Sequence, residues 1–564
     1  MAKQNKTDLQ NVPAAARFIN RVISKMRYRR QVCRDVRAEL AAHFEDELRG
    51  CKTDEERQQK ALEVIAGFGD VKMLAVLLRR AKKRCRPLWR TVVARSLQTA
   101  GLLILCLILY TVWFSTGKPT ISVDYVAMLN RMSRPEVSNK DNALPHLEKA
   151  ASLYVDPNQD LREQIPAFSN ILSPEYRDFA GLPEADRNAI TEYVRVNEQA
   201  WGEFVAASSK PCCYREYGFD PNCSDRDKWM WSIIVPHLRE FKGLAHVGVW
   251  RCRIAIARGS IDEALNNCLA IARNAEHLQR LSMIVEQLVG LALCSLANEE
   301  IPGTLESTSL TAKQLKDLQG QLAQVYAGGY PVMNLEFDKM VFHDLVQHLF
   351  TDGGLGGGHL IPASWADISD DRVNLAGDDE RMFLMPLLVA ASMVHARRDE
   401  TLEVGDRIYD EQIKLAKMTP YQQKHREDVS SADDILTSLS SRKFSVLHFI
   451  VPAFDRLSEI EFRGKVSHQA TLTILALARW RAEKGEYPAS LGQLTAAGLL
   501  KDLPMDPFSD KPLIYRRTGD NFILYSVGPN FRDDGGEPGK GHNGCLEKWL
   551  DNGDTVFWPV PKTR

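Results

Sequence analysis

Among the eleven cysteines of this chain no Cys-x-x-Cys pair occurs, so neither a zinc ribbon nor a thioredoxin-like motif has support. No Gly-x-Ser-x-Gly elbow and no nucleotide-binding fingerprint is present. The glycine run at 353–358 comes nearest to a phosphate loop. Such a loop ends in Gly-Lys-Ser/Thr, whereas His359-Leu360 follows here, so the run reads as a flexible loop. Two other absences say more. The stretch 97–114 contains no charged residue, and the basic residues ahead of it (Arg79, Arg80, Lys82, Lys83, Arg84, Arg86, Arg90 and Arg95) have no acid among them.

Eighteen uncharged residues make roughly 27 Å of helix, close to the thickness of a bilayer core. The polar residues Gln98, Thr99 and Thr111 form no solvent stripe, which argues against an ordinary amphipathic core helix. Trp89 before the run, and Tyr110 and Trp113 near its end, suit interfacial anchors. A cleaved signal peptide is not expected, because 96 residues precede the run. With the basic stem held inside, the N-terminal side is expected in the cytoplasm of a bacterium and the C-terminal side across its inner membrane.

The overall charge of −1 conceals two opposite halves. Residues 1–96 hold 23 Lys/Arg against 11 Asp/Glu, and the remainder holds 49 against 62. The basic half is expected to sit on anionic lipid, each cation near the surface contributing on the order of 1 kcal/mol. Membrane lipids account for that charge, so nucleic acid is not expected as a partner.

Residues 14–85 read as a bundle of short helices. Val32, Val36, Leu40, Phe44 and Leu48 recur every four residues, Thr53 with Glu56 forms a capping box, Gly67 ends that helix, and Gly69-Asp70 turns into the next. The pattern around Arg37, His43, Phe44, Glu45 and Asp46, followed by the capped helix and Phe68-Gly69-Asp70, resembles a HAAS-type cytoplasmic module. That resemblance implies regulation through protein contacts. A helix spreads His43, Glu45 and Asp46 over a wide arc, so they read as solvated or capping residues rather than a metal site.

Beyond Lys118-Pro119, residues 119–443 are expected to form a mostly helical extracytoplasmic domain. Apolar spacing predicts one helix from about Leu238 to Arg258-Gly259-Ser260, a second through Ile261, Leu265 and Leu269, and a third through Leu281, Leu288 and Leu296. The first pair resembles a tetratricopeptide-type hairpin, but a solenoid needs about three such units. Cys252 and Cys268 fall level across the turn and are expected as neighbouring buried thiols. Cys212, Cys213 and Cys223 share a Pro/Gly/Asp-rich loop and form a bridge only in an oxidising compartment. The run at 382–394 is too short to span comfortably and is expected as a buried helix beginning before Pro386.

Residues 444–564 predict a long helix through Leu472, Leu475, Ala476 and Trp480, stopped by Gly485, then two short aromatic and β-branched runs about a hairpin at Arg517-Thr-Gly-Asp520. With Gly485-Glu-Tyr487-Pro488, Asp506-Pro507-Phe508 and Tyr525-Ser526-Val-Gly528, this succession resembles the globular domain of type II secretion major pseudopilins. The resemblance implies calcium in the acidic loop, held by Asp533, Asp534 and Asp554. In pilins the membrane helix runs straight into this module, whereas here the span ends 330 residues upstream, so the module reads as a fused interaction domain. The whole architecture resembles uncharacterised planctomycete-type envelope proteins.

For catalysis the best candidates are His343-Asp344 with His348, five residues apart where zinc proteases use four. The expectation is therefore no enzyme. The chain is read as mainly α with a small C-terminal α+β module, laid out as a disordered tail at 1–13, the helical module at 14–85, stem and transmembrane helix at 86–118, the outer helical domain at 119–443 and the α+β module at 444–564. Its expected role is envelope scaffolding or transmembrane signalling with protein partners on both sides. A membrane-anchored envelope hydrolase and a secretion- or pilus-associated component are the alternatives.

Overall fold

The computed structural model describes residues 12–560 apart from short segments at 85–87, 136–137, 158, 169, 225–227, 353–356, 374–377, 427–429, 452–453 and 542–545. Most of the expected tail at 1–13 and of the glycine run at 353–358 therefore lies outside the described residues. The chain is mainly helical, with a small antiparallel sheet near the C-terminal end. It divides into two compact units, Met1–Trp113 and Phe114–Arg564.

In the first unit the helices Pro13–Met26, Arg30–Leu48, Asp54–Gly67 and Val71–Arg84 enclose a core of Phe18, Val22, Met26, Val36, Leu40 and Phe44. The four-residue stripe thus points inward as its spacing requires. Thr53 caps the third helix: its Oγ1 accepts the Glu56 amide at 3.3 Å while Glu56 Oε2 accepts the Thr53 amide at 3.4 Å. Gly69 turns the chain at φ +68°, a left-handed conformation that costs glycine little. Phe68 closes the bundle between Phe18 and Phe44, with ring centroids 5.6 and 5.9 Å away.

The helix Leu88–Ser115 is different in kind. From Val92 to Ser115 it is long and apolar enough to cross a membrane, and none of its most apolar stretch is buried by protein. Leu102, Leu103, Ile104, Leu107 and Leu109 all stand exposed. A helix that is apolar on every side needs either a surrounding core or lipid.

The second unit is built on the helical hairpin Leu238–Ala257 and Ile261–Gln279, joined by Gly259 at φ +77° and followed by Ile284–Ser307. Close approach defines this core. A β-carbon on Gly290 would stand 2.7 Å from the Ala275 carbonyl oxygen, and one on Gly248 would meet the Trp201 ring at 2.4 Å. Cys252 and Cys268 lie level and fully buried, their sulfurs 3.4 Å apart as free thiols. A second core gathers Phe342, Leu345, Ile408, Tyr409, Val446 and Leu447. In the third, the helix Phe454–Lys484 packs through Ile474 and Leu477 onto Phe522, Leu524 and Trp558 of the sheet. That sheet orders Ile514–Thr518, Asn521–Ser526 and Thr555–Trp558 with all neighbours antiparallel. Thr518 pairs with Asn521 across the expected hairpin. Gly485 ends the long helix at φ +84°.

One expectation is corrected. The helix containing 382–394 exists, as Asp378–Val394, but it is not buried on all sides. Leu388 packs against the second core, whereas Leu387 and Val394 are 67% and 61% exposed. Successive apolar residues on a helix are about 100° apart, so one neighbouring core cannot cover a continuous apolar run.

Candidate functional site

The helix Leu238–Ala257 buries Phe241, Leu244, Ala245 and Val249. A second face carries Arg239, Lys242, Gly243, His246 and Trp250 at helical spacing, and this face lines a cavity of about 360 Å³. The opposite wall comes from segments far away in sequence: Tyr154, Asp156 and Pro157 after the helix Leu144–Leu153, then Arg162, Phe168, and Tyr193 of the helix Glu184–Val196. Gly243 lets the walls meet, since a β-carbon there would stand 2.3 Å from the Tyr154 hydroxyl.

The cavity's polar groups form an ordered chain. The Tyr154 and Tyr193 hydroxyls are 2.9 Å apart, and Tyr154 donates to Asp156 Oδ1 at 3.1 Å. Asp156 also accepts from Arg162 through one oxygen and from Arg239 through the other. Burial pushes the Tyr154 phenol up to about 12, so it remains a donor at neutral pH. Burial, reinforced by Lys242, Arg162 and Arg253, pushes His246 down to about 4, which leaves its ring neutral. The indole Nε1 of Trp250 is buried without an acceptor among the described residues.

The histidines singled out from sequence do not converge. His343 Nε2 lies 2.7 Å from Asp406 of the helix Arg398–Ala416, whereas His348 Nδ1 turns back to the Asp344 carbonyl oxygen at 2.8 Å. Asp344 is itself spent, accepting the Met230 amide at 2.6 Å and the Gln347 side chain at 2.9 Å. In the first unit, His43 rests its ring against Phe68 and Asp46 faces solvent beside Arg49.

Asp554, just ahead of the strand Thr555–Trp558, meets the loop that carries Asp533 and Asp534. Asp554 accepts the amides of Asp534 and Gly536 at 3.2 and 2.6 Å, Asp533 accepts the Tyr525 hydroxyl at 2.8 Å, and Asp534 accepts the Asn530 side-chain amide at 2.6 Å. Burial, with Asp534 and Asp533 adding repulsion, lifts Asp554 to about 6. Among the described residues no group of three or more His, Cys, Asp or Glu side chains is arranged to hold a metal ion.

The cavity was not foreseen from the sequence. The hairpin's apolar repeat was conspicuous, while Arg239, Lys242 and His246 were not singled out. Their spacing was a signal, but the tyrosines and Asp156 opposite them join the site through tertiary packing. No family model, curated protein or solved structure matches the chain.

Proposed function

We propose that this chain is a single-pass protein of the bacterial inner membrane that works as an envelope scaffold or transmembrane signalling protein, with residues 1–96 cytoplasmic and the residues after Lys118 outside. The observation that carries the reading is the helix Val92–Ser115, whose most apolar stretch is uncovered by protein. The basic residues ahead of it supply the orientation, because Lys and Arg near a span favour the cytoplasmic side. The capped helical bundle supports a HAAS-type regulatory module before the membrane. The long helix ended by Gly485 on a small antiparallel sheet supports a pseudopilin-like interaction module after it. Protease added to intact spheroplasts is expected to digest the chain beyond Lys118 and to spare 1–96. Protection of the C-terminal part would overturn the orientation.

For the acidic loop the proposal is calcium. Its support is the meeting of Asp554 with the glycine-containing turn that carries Asp533 and Asp534, where hard oxygen donors suit that ion. The carboxylates would have to exchange part of their present hydrogen bonding for the cation. Calcium is expected to raise the melting temperature of the full chain in detergent relative to chelator, more above about pH 6 than below it, because protons then no longer compete for Asp554. Asp534→Ala should remove most of the gain. An unchanged melting temperature in calcium strikes the ion out.

A further inference from the structure

The cavity beneath the Leu238–Ala257 helix has the composition of a binding site for a small anion. Three cations, Arg162, Arg239 and Lys242, line it against one carboxylate, Asp156. That carboxylate is already shared between the two arginines. Among the described residues, Lys242 and His246 have no hydrogen-bond or ion-pair partner within the protein. Trp250, fully buried, adds an indole N–H with no acceptor. Leaving a buried donor unmade costs about 1–3 kcal/mol, so the Trp250 N–H, beside this surplus positive charge, favours a ligand that supplies acceptors. Tyr154, Tyr193, Phe168 and Trp250 provide the apolar and aromatic wall that fixes the body of such a ligand.

We propose that this cavity binds a small organic anion, a carboxylate or phosphate ester, with its charged group against Lys242, Arg239 and His246 and its ring or hydrocarbon part against the aromatic wall. About 360 Å³ sits at the lower end of ligand sites, enough for one aromatic acid and too small for a nucleotide with its phosphates. The site lies wholly within the second unit and does not depend on the membrane orientation proposed above.

Proton linkage follows from the groups around His246. Lys242 and Arg253 on its own helix and Arg162 across the cavity disfavour the imidazolium in the empty site, and Asp156 alone favours it. An anion placed beside the ring reverses that balance. Binding should therefore take up a proton and strengthen as pH falls from about 8 to 6.

The test is calorimetric titration of the full chain in detergent with phenyl phosphate and with benzoate, using phenol as the ring without the charge. At least one of the two anions is expected to bind with a Kd of about 1 mM or tighter, and phenol to bind at least about tenfold more weakly. Lys242→Met, at an exposed position whose loss leaves the core untouched, should weaken the anion at least about tenfold without changing the melting temperature. His246→Gln should abolish the buffer-dependent heat that reports proton uptake while leaving a residual affinity. Failure of both anions to bind the intact chain overturns the proposal. So does phenol binding as tightly as the anions, or a Lys242→Met protein that melts normally and binds as the parent does.

Discussion

Arg215→Ala is expected to destabilise the C-terminal unit by roughly 3–5 kcal/mol, among the largest effects of any single substitution in this chain. Glu286 is fully buried, and Arg215 Nε donates to its Oε1 at 2.7 Å while the Tyr217 hydroxyl donates to Oε2. Arg215 continues outward to Glu148 at 2.8 Å. Removing the guanidinium leaves a carboxylate in the core without its counter-charge, which costs far more than an exposed ion pair is worth. The sign of the pH dependence follows. Burial already raises Glu286 above the ordinary glutamate range, and Arg215 is the largest influence holding it down. Without Arg215 the carboxyl takes a proton more readily when folded than when unfolded. Stability then falls as pH rises through the folded value, so the variant should lose more at about pH 8 than at pH 5. Thermal melting of the variant at both pH values checks this. Arg215→Met combined with Glu286→Gln should recover much of the loss, since the uncompensated charge is gone. A single variant that melts within a degree or so of the parent at both pH values would contradict a buried pair.

The second large effect is a pair of opposite tilts in the stability–pH profile. Glu461 is buried, accepts the Met333 amide at 2.8 Å, and is lifted by burial to about 7. Asp338 and Asp554 are lifted by burial to about 6. These carboxyls hold protons in the folded chain that the unfolded chain has released, so they add stability as pH falls. Burial acts oppositely on His468 and His246, both pushed down to about 4. Their unfolded forms charge first, near pH 6.5, and stability is lost as pH falls below it. The two sets oppose each other between about pH 8 and 5. Glu461→Gln removes one of these gains and should make acidification less favourable than in the parent. His468→Phe keeps the edge contact with Tyr326, removes a loss and should make acidification more favourable than in the parent. Each tilt amounts to on the order of 2 kcal/mol over that range. Parallel profiles for the two variants would refute the assignment.

Local chemistry was legible without tertiary information. Thr53 and Glu56 announce a helix start because the two groups satisfy each other's amides within four residues. Gly259 and Gly485 announce helix ends because only a left-handed residue turns the chain there. The level placement of Cys252 and Cys268 followed from antiparallel helices about a short turn, and their sulfurs lie 3.4 Å apart. Of the proposed calcium ligands, Asp533 and Asp534 are adjacent in the chain. Asp554 reaches them because Thr555–Trp558 pairs with Asn521–Ser526, a register that the residues alone do not display.

By itself, the sequence determined the helical character of the chain, its one uncharged span, the opposed charges on either side of it and the small sheet near the C-terminal end. Each depends on periodicity or composition over a few tens of residues. Only the tertiary structure decided which polar residues meet. Tyr154, Asp156 and Tyr193 face Lys242 and His246 because two segments distant in sequence pack on one helix of the hairpin. Glu286 becomes a buried charge because Arg215 and Tyr217, some seventy residues earlier, fold over it. Packing brings such groups together at a distance in sequence over which no local pattern carries information, and burial then changes their protonation and worth.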